Sequence, residues 1–257
     1  MTDTSRNREL TGRTALVTGA SGQLGGAVCR VLAARGAAVV GVYRHNEERA
    51  RRLAKEITDG GGTAHLVSAD LSNPERVAEL VPEVCEVAAA PEILVCAHGV
   101  TARRSVLASD RSAATQLWEV NVCAVIRIAA ATAKGMLRRR HGRIVLFGSR
   151  AGTVGMPGQA DYAATKAALG GWAASAAWEL GPFGVTVNVL APGALEQDHD
   201  AGSAVYSDAE NRAVTERIAL RRLGGADEIA GVAAFLASPD AGYLTGQTIL
   251  VDGGARW

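Results

Sequence analysis

The sequence predicts one α/β domain built on a doubly wound, seven-stranded parallel sheet with helices on both faces. Three observations predict it. Short apolar runs rich in β-formers alternate with amphipathic helical segments along the chain. The first run, RTALVT, leads into a glycine-rich turn, GASGQLGG, then a helix, AVCRVLAARG, then a second buried strand, AAVVGVYR. No composition shift, repeat or low-complexity tract divides residues 12–257, so they are read as a single domain, with residues 1–11 as a flexible arm.

The first unit, strand–glycine loop–helix–strand, is the setting of a Rossmann-type dinucleotide site. Glycines let backbone approach a pyrophosphate, and a helix N-terminus offers free N–H groups and a positive dipole end. The second strand ends at Tyr43 and Arg44 without a carboxylate. A carboxylate there would hold a ribose 2′-hydroxyl, whereas an arginine fork suits a 2′-phosphate, so Arg44 points to NADP(H). The other reading of Arg44 is a solvated residue opening the next helix, residues 46–59, which GGG at 60–62 stops.

TAHLVS at 63–68 is strand three, with Asp70 beyond its end, placed to touch an adenine or to cap local backbone. Asn73-Pro74 is a helix start. EILVCAHG is strand four. Residues 112–139 read as one long helix carrying Asn121 inside the apolar run WEVNVCAVI. A buried asparagine needs partners, so Asn121 marks a satisfied amide, a helix irregularity or a functional group. HGRIVLFGS is strand five, VTVNVLAPG strand six and TILVDGG strand seven, with ADEIAGVAAFLAS a helix between the last two. Residues 194–212 are polar and without period, as expected of a substrate lid loop.

Composition narrows the function. The 257 residues are 48% hydrophobic and 21% charged, with a net charge of +1. That suits one well-cored domain and gives no electrostatic footprint for nucleic acid or an anionic membrane. Aromatic residues are only 4%, too few for a base-stacking platform. Cys29, Cys85, Cys96 and Cys123 are scattered, without CxxC or metal spacing, and read as reduced core residues of a cytoplasmic protein with no metal site. The start, MTDTSRNREL, has no apolar segment of a signal peptide, and no 18-residue run is uninterruptedly apolar.

The chemistry concentrates in SRAGTVGMPGQADYAATK, residues 149–166. Tyr162 and Lys166 are four apart and share one face of a helix. An ammonium beside a phenol favours the phenolate, which makes Tyr162 a proton donor near neutral pH. Ser149 closes the fifth strand, so its hydroxyl emerges at a carboxyl end, where open α/β sheets bind ligands.

TGASGQLG, Asp70, Asn121, Ser149, Tyr162, Lys166 and Pro192-Gly193, in this order, resemble the classical short-chain dehydrogenase/reductase family over essentially the whole chain. The phrases RRRHGRIVLFGS, GQADYAATKAAL, GVTVNVLAPG, RRLGGADEIAGVAAFLAS and YLTGQTILVDGG are most similar to bacterial 3-oxoacyl-acyl-carrier-protein reductases. The resemblance implies reduction of a β-ketoacyl thioester by NADPH. Tyr162 would protonate the carbonyl oxygen, Ser149 would hydrogen-bond it, and Lys166 would hold the nicotinamide ribose. Asn121 would hold a water linking Lys166 to solvent. It further implies cofactor contacts from Gly19, Ser21, Gln23, Leu24, Gly25, Arg44, Asp70, Leu71, Ala97, Gly99, Tyr162, Lys166, Pro192, Gly193 and Leu195. A homotetramer is implied too, in keeping with the small residues of 163–177. Other readings are a reductase or dehydrogenase of a free ketone or secondary alcohol, and a non-catalytic nucleotide sensor or scaffold.

The chain departs from the family pattern in three places. Gln23 stands where the second glycine of TGxxxGxG belongs, while Gly19, Gly22 and Gly25 fit TGxxGxxG; no basic residue follows Ser21. Cys96-Ala97-His98-Gly99 replaces NNAG, so two asparagine amides are lost and His98 is read as a structural substitute. Lys134, Arg138, Arg139 and Arg140 are candidate contacts for an acyl carrier protein near the mouth of the site, or a solvated helix end, and Trp178 stands where such reductases often carry arginine.

Overall fold

The computed structural model describes residues 8–196 and 207–256. Its sheet has seven strands in the order β3-β2-β1-β4-β5-β6-β7. They are β1 (Thr14–Thr18), β2 (Ala38–Tyr43), β3 (Thr63–Ser68), β4 (Ile93–Cys96), β5 (Gly142–Phe147), β6 (Val185–Pro192) and β7 (Thr248–Val251), all parallel. Each strand run read from the sequence lands on one of these. The helices are α1 (Gln23–Ala34), α2 (Glu47–Asp59), α3 (Pro74–Val87), α4 (Arg111–Trp118), α5 (Ala124–Arg139), α6 (Ala151–Val154), α7 (Ala160–Leu180), α8 (Asp208–Glu216) and α9 (Ala226–Ala237).

Side chains alternate across the sheet and fill two cores. Leu16, Leu94, Ile144 and Leu146 face α3, α5 and α7, packing on Leu80, Ile128 and Leu169. Ala15, Val17, Val95 and Val145 face α1, α2 and α9, packing on Val28, Leu32, Leu53 and Ile229. Each fully buried Leu or Ile contributes about 1.5–3 kcal/mol. Local chemistry agrees with this. Asn73 caps α3 by accepting from the Glu75 and Arg76 N–H groups, and Pro74 sits where its missing N–H costs nothing. Asn46 caps α2 from the left-handed region (φ 59°) by accepting from Arg49 N–H. The outer face of α2 is laced with Arg51–Glu47, Arg52–Glu48 and Lys55–Asp59 pairs.

Strand order reverses between β1 and β4. The β1–α1 turn and the segment after β4 therefore diverge at the carboxyl edge and leave a crevice. Gly25 keeps its near side narrow, because a Cβ there would collide with the Gly19 carbonyl oxygen.

Four expectations change. The helix over 112–139 is interrupted: Glu119–Cys123 is a π-turn between α4 and α5, and it contains Asn121. The run Arg111–Arg139 is long and apolar enough, by length and composition, to cross a membrane, but much of it is buried inside the protein against α3, α7 and β5. Residues 194–212 are not one irregular loop: Leu195 bridges to Gly224, and α8 begins at Asp208, with 197–206 outside the described residues. Leu10, assigned to a flexible arm, is 2% exposed in the core beside α1, and its N–H donates to the Arg35 carbonyl; residues 1–7 lie outside the described ones. Cys85 is exposed on α3, whereas Cys29 and Cys96 are core residues, and all four cysteines are free thiols.

Gly25→Ala tests the narrow crevice. Overpacking against backbone should cost about 1–3 kcal/mol in urea unfolding and weaken dinucleotide binding at once.

Candidate active site

The candidate residues converge where β1, β4, β5 and β6 end. Leu24, Ala97, Gly99, Ser149, Tyr162, Lys166, Pro192, Gly193 and Leu195 line one open cleft. It adjoins a larger one of about 560 Å³ that shares Ser149, Tyr162, Pro192, Gly193 and Leu195 and adds Ser21 and Gln23. Tyr162 lies thirteen residues after Ser149, and a short helix, α6, sits in the gap and packs on α7, which lies along β6.

Lys166 lies on the inward face of α7 and is 6% exposed. Its Nζ donates to the Phe147 carbonyl at the end of β5 (2.8 Å) and sits 5.9 Å from the centre of the Tyr162 ring. Burial pushes its pKa down from 10.5 to about 8, partly offset by the Cys96 sulfur. It is therefore a cation that can release its proton near physiological pH. Ser149 Oγ accepts from the Ala151 N–H (3.1 Å), which leaves its own proton to donate. The result is a hydroxyl, a phenol and an ammonium around one cleft, the donor set needed where a carbonyl oxygen gains charge.

Asn121 is fully buried and anchors the loop after β4. Its Nδ2 donates to the Val100 carbonyl (2.9 Å) and to Thr165 Oγ1 (3.1 Å), and its Oδ1 accepts from Val100 N–H (2.9 Å). A Cβ on Gly99 would lie 3.1 Å from both Asn121 Oδ1 and Lys166 Nζ, so a side chain there would press on both groups. His98 stands at the alanine position of NNAG and is hydrogen-bonded on both sides. Its Nδ1 is 2.6 Å from Thr18 Oγ1 and its Nε2 3.2 Å from the Val120 carbonyl, the structural duty read from the sequence.

The other end of the cleft suits a dinucleotide. Gly22 caps α1 without a side-chain hydrogen bond, so no side chain occupies the helix's first N–H groups. At Gly19 (φ 75°) a Cβ would stand 3.0 Å from His98 backbone, so both the conformation and the space favour glycine. Gln23 reaches across the cleft, its Nε2 donating to the Glu196 carbonyl (2.9 Å).

Other candidates stand outside the lining of these two clefts. Asp70 is engaged locally: it accepts from Ser72 N–H (2.9 Å) and Ser72 Oγ (2.7 Å) and pairs with Arg44 (3.1 Å). The backbone-capping reading of Asp70 thus describes the structure. Arg44 is half exposed beyond the cleft wall, and Leu71 is buried in the core beneath β3. Lys134, Arg138 and Arg139 are exposed on the last turns of α5, just before β5 begins, whereas Ser149 follows its end. The six residues of β5 put roughly 20 Å between those basic groups and the site at about 3.3 Å per residue. Within one protomer they do not flank the cleft, because a helix that feeds a parallel strand ends at the opposite edge of the sheet.

The sequence reading missed several wall residues. Asn46 and Arg49 line the cleft one helical turn beyond Arg44. Met156, Gln159, Val214, Arg217 and Ile218 line the end next to Ser149, together with Ala255 and Arg256 from the far end of the chain. No motif signals these; only the fold brings them in. Arg150, next to Ser149, is 8% exposed and pairs with Asp252 (2.8 Å), while its Nη2 donates to the Ala255 carbonyl (2.9 Å). Its N–H donates to the Pro192 carbonyl, so the ends of β5 and β6 and the segment after β7 meet at this one residue.

The family model described as "Enoyl-(Acyl carrier protein) reductase" matches residues 19–256. The chain is a short-chain dehydrogenase/reductase. This short-chain reductase is 39% identical over 244 residues to "3-oxoacyl-[acyl-carrier-protein] reductase FabG" of Escherichia coli (strain K12), covering 95% of the chain and 97% of that protein. It is 40% identical over 246 residues to "Nodulation protein G" of Rhizobium sp. (strain N33), covering 96% and 98%. Among solved structures it superposes on a 3-oxoacyl (acyl-carrier-protein) reductase from Agrobacterium tumefaciens C58 with NADP bound. The TM-score there is 0.90 at 30% identity, covering 98% and 97% of the two chains. It superposes as well on a gluconate 5-dehydrogenase from Burkholderia cenocepacia J2315 in complex with NADP and tartrate, with TM-score 0.90 at 33% identity and 98% coverage of both. The short-chain reductase is thus an oxidoreductase that works with a nicotinamide cofactor.

Asp252→Asn keeps the shape of the Arg150 pair and removes its charge. Removing the Asp252 charge from the largely buried Arg150, whose bond to the Ala255 carbonyl remains, should cost about 1.5–3 kcal/mol in chemical denaturation. A loss under 1 kcal/mol would show the pair to be solvated.

Proposed function

We propose that this chain reduces a β-ketoacyl thioester, bound to a carrier protein, to the β-hydroxyacyl product with NADPH, in acyl-chain synthesis of the fatty-acid or polyketide type. The observation that carries the reading is the meeting of Ser149, Tyr162 and Lys166 beside a glycine-lined cradle. The relatives' printed activities support the substrate class.

Bound NADPH supplies the hydride. The first N–H groups of α1 with Gly19, Ser21, Gln23 and Gly25 would hold its phosphates; Ala97, Gly99, Pro192, Gly193 and Leu195 would frame its nicotinamide end. Ser149 Oγ donates to the substrate oxygen and fixes the carbonyl. Tyr162 donates its phenolic proton to that oxygen as charge builds on it. Lys166, positive below its lowered pKa, stabilises the phenolate that results and holds the nicotinamide ribose. Asn121 keeps Lys166 and the loop after β4 in register, and would hold the water through which Lys166 regains a proton. Arg44, joined to Asp70 by an exposed pair worth about 0–1 kcal/mol, can turn to a 2′-phosphate at little cost. Arg49, on the cleft wall, would add to it.

The gluconate dehydrogenase likeness favours a second reading, reduction or oxidation of a free ketone or secondary alcohol. NADPH consumption with an acetoacetyl thioester, beside simple ketones and beside NADH, separates the two. Turnover of the thioester supports the first and turnover of free ketones alone the second. Cofactor binding without turnover on any of them would point to a sensor. Exposed Ala164, Ala167, Gly171 and Ala174 form a small-residue stripe on α7, with the exposed Trp178 beyond it, suited to packing of a second copy in keeping with a homotetramer. Light scattering measures that directly.

Tyr162→Phe should lower the rate by about 10²-fold or more while NADPH binding stays near wild type. Arg44→Asp should weaken NADPH and spare NADH; an unchanged preference would overturn the phosphate assignment. The reduction rate should fall as pH rises through about 8, where Lys166 loses its charge. A rate flat to pH 10 would show that the ammonium is not needed.

A further inference from the structure

Among titratable groups that the proposed reaction leaves unused, His98 lies nearest the Lys166 end of the cleft, whose wall it joins. It stands just past β4, bonded to the end of β1 through Thr18 Oγ1 and to the π-turn through the Val120 carbonyl. Desolvation, with the Lys166 ammonium nearby, pushes its pKa down to about 3, so the ring is neutral. A neutral imidazole has one donor and one acceptor. A carbonyl only accepts, so Nε2 carries the proton toward Val120 and Nδ1 accepts from the Thr18 hydroxyl. The two partners together define the tautomer.

Two residues on, Val100 exchanges both backbone hydrogen bonds with Asn121. The loop is thus pinned at 98 and at 100 to consecutive residues, 120 and 121, of the π-turn. Gly99 lies between the pins with its Cα facing Lys166 Nζ and Asn121 Oδ1 so closely that a methyl group would stand 3.1 Å from each. A π-turn departs from regular helical bonding and persists where surrounding contacts hold it. Here the supports are the Asn121 amide and the His98 ring. Thr18 adjoins Gly19, whose position is packed on His98 backbone, so the same ring ties the base of the cofactor loop to the loop beside Lys166.

We propose that His98 is a positioning residue: its neutral ring clamps residues 98–100 between β1 and the π-turn and so sets where Lys166 and Asn121 stand in the cleft. The inference rests on the proposed reductase reading for its kinetic readout and on the geometry alone for its structural one.

The test compares His98→Leu, which fills the space without hydrogen bonds, with His98→Gln, which offers one acceptor and one donor. For His98→Leu we expect kcat with acetoacetyl thioester to fall about tenfold, KM for NADPH to stay within about threefold, and the alkaline limb of the pH profile to move. Amide exchange should quicken at 98–100 and 119–125. His98→Gln should recover most of kcat and the wild-type profile. If folded His98→Leu keeps the wild-type kcat, pH profile and exchange, or if His98→Gln is no better than His98→Leu, the proposal is overturned. Should His98→Leu not fold, Thr18→Val takes its place: a drop in kcat of about threefold with faster exchange supports the clamp, and wild-type behaviour overturns it. If the wild type reduces no carbonyl, the reductase reading fails on its own, and exchange at the π-turn alone decides for or against the clamp.

Discussion

Holding the Lys166 cation in a site that excludes most water is the constraint that the rest of the cleft accommodates. Desolvation alone would neutralise it or expel it from the fold. The Phe147 carbonyl at the end of β5 supplies one acceptor, and the Tyr162 ring lies within reach on the same helix face. The remaining space is closed by Asn121 and by a residue without a side chain, Gly99. The elements that fix those three positions, from α7 lying along β6 to the π-turn before α5, serve a single charge.

That charge also explains how two ends of the molecule cooperate. The cofactor cradle is made by the β1–α1 turn and the proton donors by β5 and α7, elements that share no sequence neighbourhood. They meet because strand order reverses between β1 and β4. The segment after β4 lies on that reversal and touches both halves, and it carries one of the chain's three departures from the family pattern.

Much of this was legible in the sequence because it depends on local rules. The strand runs, the Asn73-Pro74 start, the glycine turn after RTALVT and the four-residue spacing of Tyr162 and Lys166 each follow from a few neighbouring residues. What was not legible depends on distant ones. The break in the 112–139 helix is not announced by any glycine or proline, since the π-turn is made of the residues EVNVC. Arg44 and Asp70 looked like separate contacts for a ligand, yet β2 and β3 end side by side and the two pair with one another. The basic residues of α5 looked useful by number and charge, but chain direction in a parallel sheet carries them to the other edge. Leu10 read as part of a polar arm because one apolar residue among polar ones gives no period.

Arg150 and Asp252 are separated by 102 positions, and the pair joins the turn bearing Ser149 to the segment after the last strand. Such a long closure comes late, since its entropy must be met before the contact repays it. While the chain is being made, Arg150 has to remain hydrated until β7 has been added to the sheet edge and the final residues have turned back over the cleft. The segment after β7 closes the substrate wall, and β7 itself ties down Gly193 through the Val251 carbonyl, so the nicotinamide end of the cradle and the substrate wall are completed together.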